Sequence, residues 1–296
     1  MMTEKHPEKC DRKPATAKLL IACPDQRGII AAVAGFIAEH AGNIVEADQH
    51  SDPQEHAFFM RVEIERQGFR LSPNSFPAQW RPLAERFQMR WRMEWGDRVK
   101  RMAVMVSKES HCVSDLLWRW SSGELCVELP LVVSNHHDLQ ELVVRSGVAF
   151  HYLPVSAGGK NRQERQVLDL FGAKEIDFVV LARYMQVLSP SFVAAYRDRV
   201  INIHHSFLPA FAGARSYRQA FDRGVKIIGA TSHFVTDVLD DGPIIAQGTL
   251  PVDHRDSVED LIRKGRDLER VVLATAVHQH VADKILISGR KTIVFD

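Results

Sequence analysis

The chain has few cysteines, and they are scattered. Cys10, Cys23, Cys112 and Cys126 make no CxxC pair. This excludes a zinc ribbon, a thioredoxin-type motif and a dense disulfide framework. Cys23 and Cys126, in apolar strand-like surroundings, are expected to be packed thiols, and the expected compartment is the cytoplasm. An excess of charge is also missing: 38 basic against 37 acidic residues leave a net charge of +1. There is then no electrostatic case for a nucleic-acid partner or a membrane surface. No apolar run approaches the ~20 residues needed to cross a bilayer. The opening MMTEKHPEKCDRKP lacks the apolar centre of a secretory signal, and residues 1–14 are expected to be a disordered lead-in. There is no HExxH helix, no GxSxG elbow around Ser206, and no glycine-rich cradle in the VVSNHHD turn. These gaps speak against a zinc protease, a serine triad and a dinucleotide site.

What is present is ordinary globular material, 45% hydrophobic and 25% charged over 296 residues, a length that suggests two domains. Residues 15–95 read strand, helix, two strands, helix, strand. TAKLLIAC is apolar throughout, Ile29, Ile30, Val33, Phe36 and Ile37 fall at helical spacing, and Gly42-Asn43 ends that helix. The βαββαβ order predicts a ferredoxin-like antiparallel sheet with two helices on one face. Residues 99–296 then alternate Val/Ile/Leu-rich strands with helices, the pattern of a Rossmann-like, mostly parallel sheet covered on both faces. In such sheets ligands bind beyond the C-terminal strand ends, where Ser107, Ser134-Asn135, Tyr184 and Asn202–His205 fall. KIIGATSHFV and PIIAQGTLPV read as two further strands around the loop TDVLDDG, and a closing helix starts near a Ser257-x-x-Asp260 capping box. Asn161-x-x-Glu164 has the same form.

The chemistry concentrates in INIHHSFLPAF and HFVTDVLDDGP. Strand alternation puts Asn202 and His204 on one face, and an amide beside an imidazole can polarise a carbonyl and move a proton. Asp240 supplies a carboxylate. Taken singly, each has a plainer reading: a braced turn, a satisfied core histidine, an Asp-Asp-Gly turn signal.

These stretches, with LARYMQVLSP, closely resemble the catalytic domain of the enzymes that use 10-formyltetrahydrofolate. The resemblance implies a catalytic trio of Asn202, His204 and Asp240. It places the pteridine against Arg183, Tyr184, Met185, Gln186, Val187 and Leu188 and against the loop carrying Thr236 and Asp237, with His233 in support. It implies no cofactor and no metal, the folate being the substrate. The first domain resembles an ACT domain through Asp25 and Gly28 at the first turn and Asn43 opening strand two. That turn would offer N–H groups to an amino-acid effector, or serve only as a tight turn in a domain that builds a homo-oligomer, dimer or tetramer.

An ACT-like domain ahead of this catalytic domain resembles the deformylase branch of the family. So does the first βα loop, SKESHCVSDLL, which has no glycine to cradle a phosphate and carries Glu109 to repel one. The implied reaction is hydrolysis of 10-formyltetrahydrofolate to tetrahydrofolate and formate, feeding purine synthesis and balancing one-carbon pools. The alternatives are formyl transfer to an amine and a folate or amino-acid sensor without activity. One departure stands out: the branch carries Pro-Tyr-His in a GAxPYHQA stretch, where this chain has GARSYRQA, with Ser216 and Arg218 beside the retained Tyr217.

Overall fold

The computed structural model describes residues 16–96, 98–156, 158–210 and 216–295. The lead-in 1–14, Phe211 of the FLPAF stretch and Gly213–Arg215 of GARSYRQA lie outside the described residues. The chain divides into two units.

In the first unit the elements are β1 (Thr16–Pro24), α1 (Ile29–Glu39), β2 (Asn43–Asp52), β3 (Ala57–Glu65), α2 (Phe76–Arg86) and β4 (Arg90–Glu94). Strand order is β2-β3-β1-β4, antiparallel throughout, which is the ferredoxin-like sheet expected. Alternation sends Leu19, Ile21 and Cys23 of β1 to the helix side, where they pack with Val33, Ile37, Phe76 and Trp80. Gly28 caps α1 at φ 92°, a left-handed backbone that suits glycine.

The second unit holds β5 (Arg101–Val106), α3 (His111–Ser122), β6 (Glu128–Ser134), α4 (Gln140–Arg145), β7 (Ala149–Tyr152), α5 (Lys160–Ala173), β8 (Phe178–Ala182), α6 (Pro190–Ala195), β9 (Val200–His204), α7 (Ser216–Arg223), β10 (Ile227–Phe234), β11 (Ile244–Pro251) and α8 (Val258–Val281). The sheet runs β11-β10-β9-β8-β5-β6-β7. The five strands from β9 to β7 are parallel, while β10 and β11 run antiparallel. α5 and α6 cover one face through Val167, Phe171 and Phe192, and α8 lies against β9, β10 and β11 as well as α3. The chain leaves β5 toward β6 on one side and returns to β8 on the other. That switch opens a crevice above the ends of β5 and β8.

Four readings are corrected. The Ser257–Asp260 box forms, each residue's side chain accepting the other's backbone N–H at 3.1 Å, but Asn161–Glu164 is not one. Helix α5 already begins at Lys160, and Glu164 is buried, accepting Ser189 N–H at 3.0 Å. Cys126 lies exposed rather than packed, whereas Cys23 is buried. α7 occupies a stretch, opening at the altered GARSYRQA residues, for which no element was expected. Finally, the tail forms a hairpin, β12 (Ile285–Ser288) and β13 (Lys291–Val294), much of which groups with the first unit rather than the second. Its Leu286, Ile293 and Phe295 pack on Ala22 and Phe59, on the sheet face away from α1 and α2. This is why β1 and β3 are apolar on both faces. The buried Arg61 anchors it, donating to the Asp283 carbonyl at 3.1 Å and pairing with Glu63 at 2.6 Å.

Candidate active site

The last turn of β9 and the antiparallel strand β10 build the centre. Their register sets His233 opposite Asn202 and Thr231 opposite His204. Cross-strand partners share a face, so Asn202, His204 and His233 emerge together. Asn202 Nδ2 lies 3.2 Å from His233 Nε2, and His233 Nδ1 lies 2.9 Å from the Phe234 carbonyl oxygen. A carbonyl only accepts, so Nδ1 carries the proton and Nε2 is the acceptor for the Asn202 amide. This fixes the orientation of Asn202 and leaves its second N–H for another group. Burial, the largest influence on His233, holds its pKa below the ordinary 6.5.

The loop after β10 brings in Asp240. Its Oδ1 lies 3.3 Å from His204 Nδ1 and 3.9 Å from His233 Nε2. The hydrogen bond with His204 outweighs burial and holds the carboxyl below its ordinary 3.8, so Asp240 is ionised at neutral pH. Its backbone is left-handed, φ 54°, a conformation Asp tolerates better than most residues. Two residues later the loop passes so close to β10 that a Cβ on Gly242 would fall 1.7 Å from the Phe234 carbonyl oxygen. Only glycine permits that return.

Asn202, His204, His233 and Asp240 border a cavity of about 250 Å³. Its other walls include Arg183 through Leu188 and Val235 through Leu239, so every residue of the two expected folate-contacting stretches lines it. Thr236 shapes the second by donating to the Val238 carbonyl at 3.0 Å. The first is pinned to the crevice floor: Ser107 Oγ accepts Met185 N–H at 3.0 Å and donates to Asn135 Oδ1 at 2.7 Å. Tyr184 is buried, and its hydroxyl, pushed up to about 12 by burial, accepts from Gln163 at 3.2 Å.

Some neighbours were not legible from the sequence. Alternation sends His205 to the opposite face, but β9 stops at His204, and the two rings lie 5.0 Å apart. His205 lines the cavity too. Ser216, at the altered position, is buried and donates to the His205 carbonyl at 2.7 Å, while Arg218 is exposed and pairs with Asp222. Glu109 is met by Arg266 at 2.8 Å. Glu269 was missed outright. Its carboxylate is buried, yet it is held below its ordinary value because hydrogen bonds from His111 and Tyr217 and the charge of Arg183 outweigh that burial. The stripe Leu261, Gly265, Glu269, Val272, Ala276 is spaced as a buried helix face, a signal that this one Glu is inside. His111, Cys112 and Glu269 bring ligand-type atoms within 4.8 Å of one another, but Arg183 already supplies positive charge at Glu269. Among the three expected effector-turn residues, Asn43 donates to Glu65 at 3.1 Å, and Asp25 N–H donates to the His56 carbonyl.

A mostly parallel sheet with a switch-point crevice, and an Asn, a His and an Asp converging beside it, make an α/β domain equipped for acid–base chemistry at a carbonyl. The family described as formyl transferase matches residues 100–277, and the ACT domain family matches residues 18–70. A formyltetrahydrofolate deformylase of Synechocystis sp. is 51% identical over 95% of this chain and 98% of its own length. One of Bacillus subtilis is 46% identical over 100% and 99%. A crystal structure of a formyltetrahydrofolate deformylase from Pseudomonas syringae superposes with a TM-score of 0.93 at 46% identity, covering 97% of this chain and 96% of that one. A glycinamide ribonucleotide transformylase from Symbiobacterium toebii, TM-score 0.64 and 30% identical, covers 67% of this chain. The chain belongs to the formyltetrahydrofolate deformylase family.

Proposed function

We propose that the chain hydrolyses 10-formyltetrahydrofolate to tetrahydrofolate and formate at the Asn202, His204 and Asp240 centre, with the pteridine in the cavity beside it. The observation that carries the reading is the ionised Asp240 held against His204, facing an Asn202 whose amide has a spare N–H. Water attacks the formyl carbon while its proton passes to the His204–Asp240 pair. The carbonyl oxygen becomes an oxyanion that accepts from Asn202 and is balanced by imidazolium at His204. Collapse breaks the C–N10 bond as N10 takes the proton, and formate leaves. An oriented amide N–H at such an oxyanion contributes on the order of 3 kcal/mol to the barrier. None of these steps calls on a cofactor; the folate is the substrate.

Incubating the chain with 10-formyltetrahydrofolate alone is the direct test. Formate released stoichiometrically with tetrahydrofolate is expected. Release only after an amine is added would make the chain a transferase, and tight folate binding without turnover would make it a sensor.

The ACT-like unit is read as an oligomerisation module in a cytoplasmic homo-oligomer. β2 is an edge strand with an exposed Val45, which suits strand pairing with a second copy. Calorimetry with glycine, serine and methionine probes the Asp25–Gly28 turn. A heat of binding abolished by Gly28→Val is expected for an effector site; no heat from any of the three leaves the unit with assembly alone. Among the described residues no helix is long and apolar enough to cross a membrane.

A further inference from the structure

The mechanism above makes no use of Glu269, yet this carboxylate is 1% exposed and lies in the middle of α8. Burying a carboxylate costs several kcal/mol, about what a well-made pairing returns, so an apolar residue would serve packing at least as well. Both oxygens are engaged. Oε1 accepts from the Tyr217 hydroxyl at 2.6 Å, and Oε2 meets His111 Nε2 at 2.8 Å and Arg183 Nε at 3.5 Å.

The three partners come from separate elements: His111 opens α3 just beyond β5, Arg183 follows β8, and Tyr217 belongs to α7. Helix α8 is cut back to admit the phenol, since a Cβ on Gly265 would fall 2.0 Å from the Tyr217 hydroxyl. Arg183 reaches Glu269 from a left-handed backbone, φ 63°, a strain that needs surroundings to hold it.

The cluster reaches the reaction chamber through Arg183. Arg183 and His205 both border the cavity that holds the trio, and the His205 ring packs on the Tyr217 ring with centroids 5.8 Å apart. Glu269, His111 and Tyr217 stand behind Arg183 and His205, which carry the bridge to the edge of that cavity. An amine acceptor must bring its nitrogen to ~3–3.5 Å from the formyl carbon with room for the rest of its body. Water needs no such room.

We infer that Glu269 is a specificity-determining, positioning residue: by tying His111, Tyr217 and Arg183 together it holds Arg183 and the His205 ring at the cavity edge, where they deny an amine-bearing second substrate room and leave water as the acceptor. The inference rests on the hydrolytic reading above. In both reactions the nucleophile bonds to the formyl carbon, the C–N10 bond breaks, and the nucleophile's proton ends on N10. Water yields formate, and an amine would yield a formamide.

The test is the ratio of formylglycinamide to formate when the full chain turns over 10-formyltetrahydrofolate in the presence of glycinamide. The unaltered chain should give no more formamide than the uncatalysed reaction. Glu269→Ala and His111→Ala should each raise the ratio by about tenfold or more, the scale on which a pocket of changed shape alters discrimination. A purely structural role would lower formate and leave formamide at its uncatalysed level, so formamide formed above that level is the deciding readout. His111→Ala removes one end of the bridge and keeps the test open should Glu269→Ala not fold. Folded variants that still release formate but give no formamide above the uncatalysed level would overturn the inference. Absence of formate from the unaltered chain without amine would instead refute the hydrolytic reading, so the two failures are distinct.

Discussion

Asp240→Asn should lower kcat for formate release by about three to four orders of magnitude, the scale seen when a general base or its orienting carboxylate is removed, while folate affinity changes little. Asn is nearly isosteric and accepts the left-handed backbone at φ 54°, so the loop that walls the cavity keeps its shape. What disappears is a charge. Asp240 is ionised at neutral pH because its hydrogen bond with His204 draws it below 3.8. Without that anion, an imidazolium at His204 has nothing to offset it within the buried centre, and water has no acceptor for its proton. Stability should respond differently. A carboxyl whose folded pKa is depressed stabilises above its unfolded value near 3.8 and loses that contribution only as pH falls through the folded value. The variant should therefore melt slightly below the unaltered chain at neutral pH, and the difference should vanish in strong acid. Single-turnover formate release and equilibrium folate binding separate the two effects. Unchanged turnover would remove Asp240 from the mechanism.

How much of this was legible before the fold was known depends on the range of each interaction. Asn202 and His204 share a face by alternation within one strand, a local rule. Both sheets followed from the order of periodic segments, because βαββαβ and repeated βα units admit few topologies. His233 could be suspected but not placed. Its position opposite Asn202 depends on the β9–β10 register, which the intervening segment does not encode locally. The tail hairpin had a signal, a Gly-Arg pair between two alternating apolar runs. What it packs against, the outer face of a strand pair more than two hundred positions earlier, is a long-range fact. Glu269 sat on the apolar stripe of α8 in plain sequence, but a lone Glu in a charged helix reads as a solvated residue until its partners from three other segments are assembled around it. Ser216 shows the reverse. The departure from Pro at this position brings a hydroxyl that donates to the His205 carbonyl.

The acid side of the pH–rate profile should be governed by His233 acting through Asn202. Burial keeps His233 neutral below its ordinary 6.5, and the neutral ring accepts from Asn202 through Nε2 while Nδ1–H binds the Phe234 carbonyl. As pH falls through the depressed value, Nε2 gains a proton and becomes a donor. Asn202 must then turn its amide oxygen toward the ring, and the orientation that keeps an N–H for the oxyanion is lost. The same titration destabilises the fold. The unfolded chain takes up this proton near 6.5 and the folded chain only at lower pH, so stability falls with acidity across that window. Asn202→Ala removes the donor outright and should cost about a hundred- to a thousandfold in kcat. Its residual rate should also lose the acid limb due to His233, because no amide remains to be turned. The measurement is kcat from about pH 5 to 8, within the range where imidazoles titrate, for the unaltered chain and for Asn202→Ala. A variant that is slow but keeps the full acid limb would show that His233 acts by another route. A variant of undiminished kcat would take Asn202 out of the oxyanion site altogether.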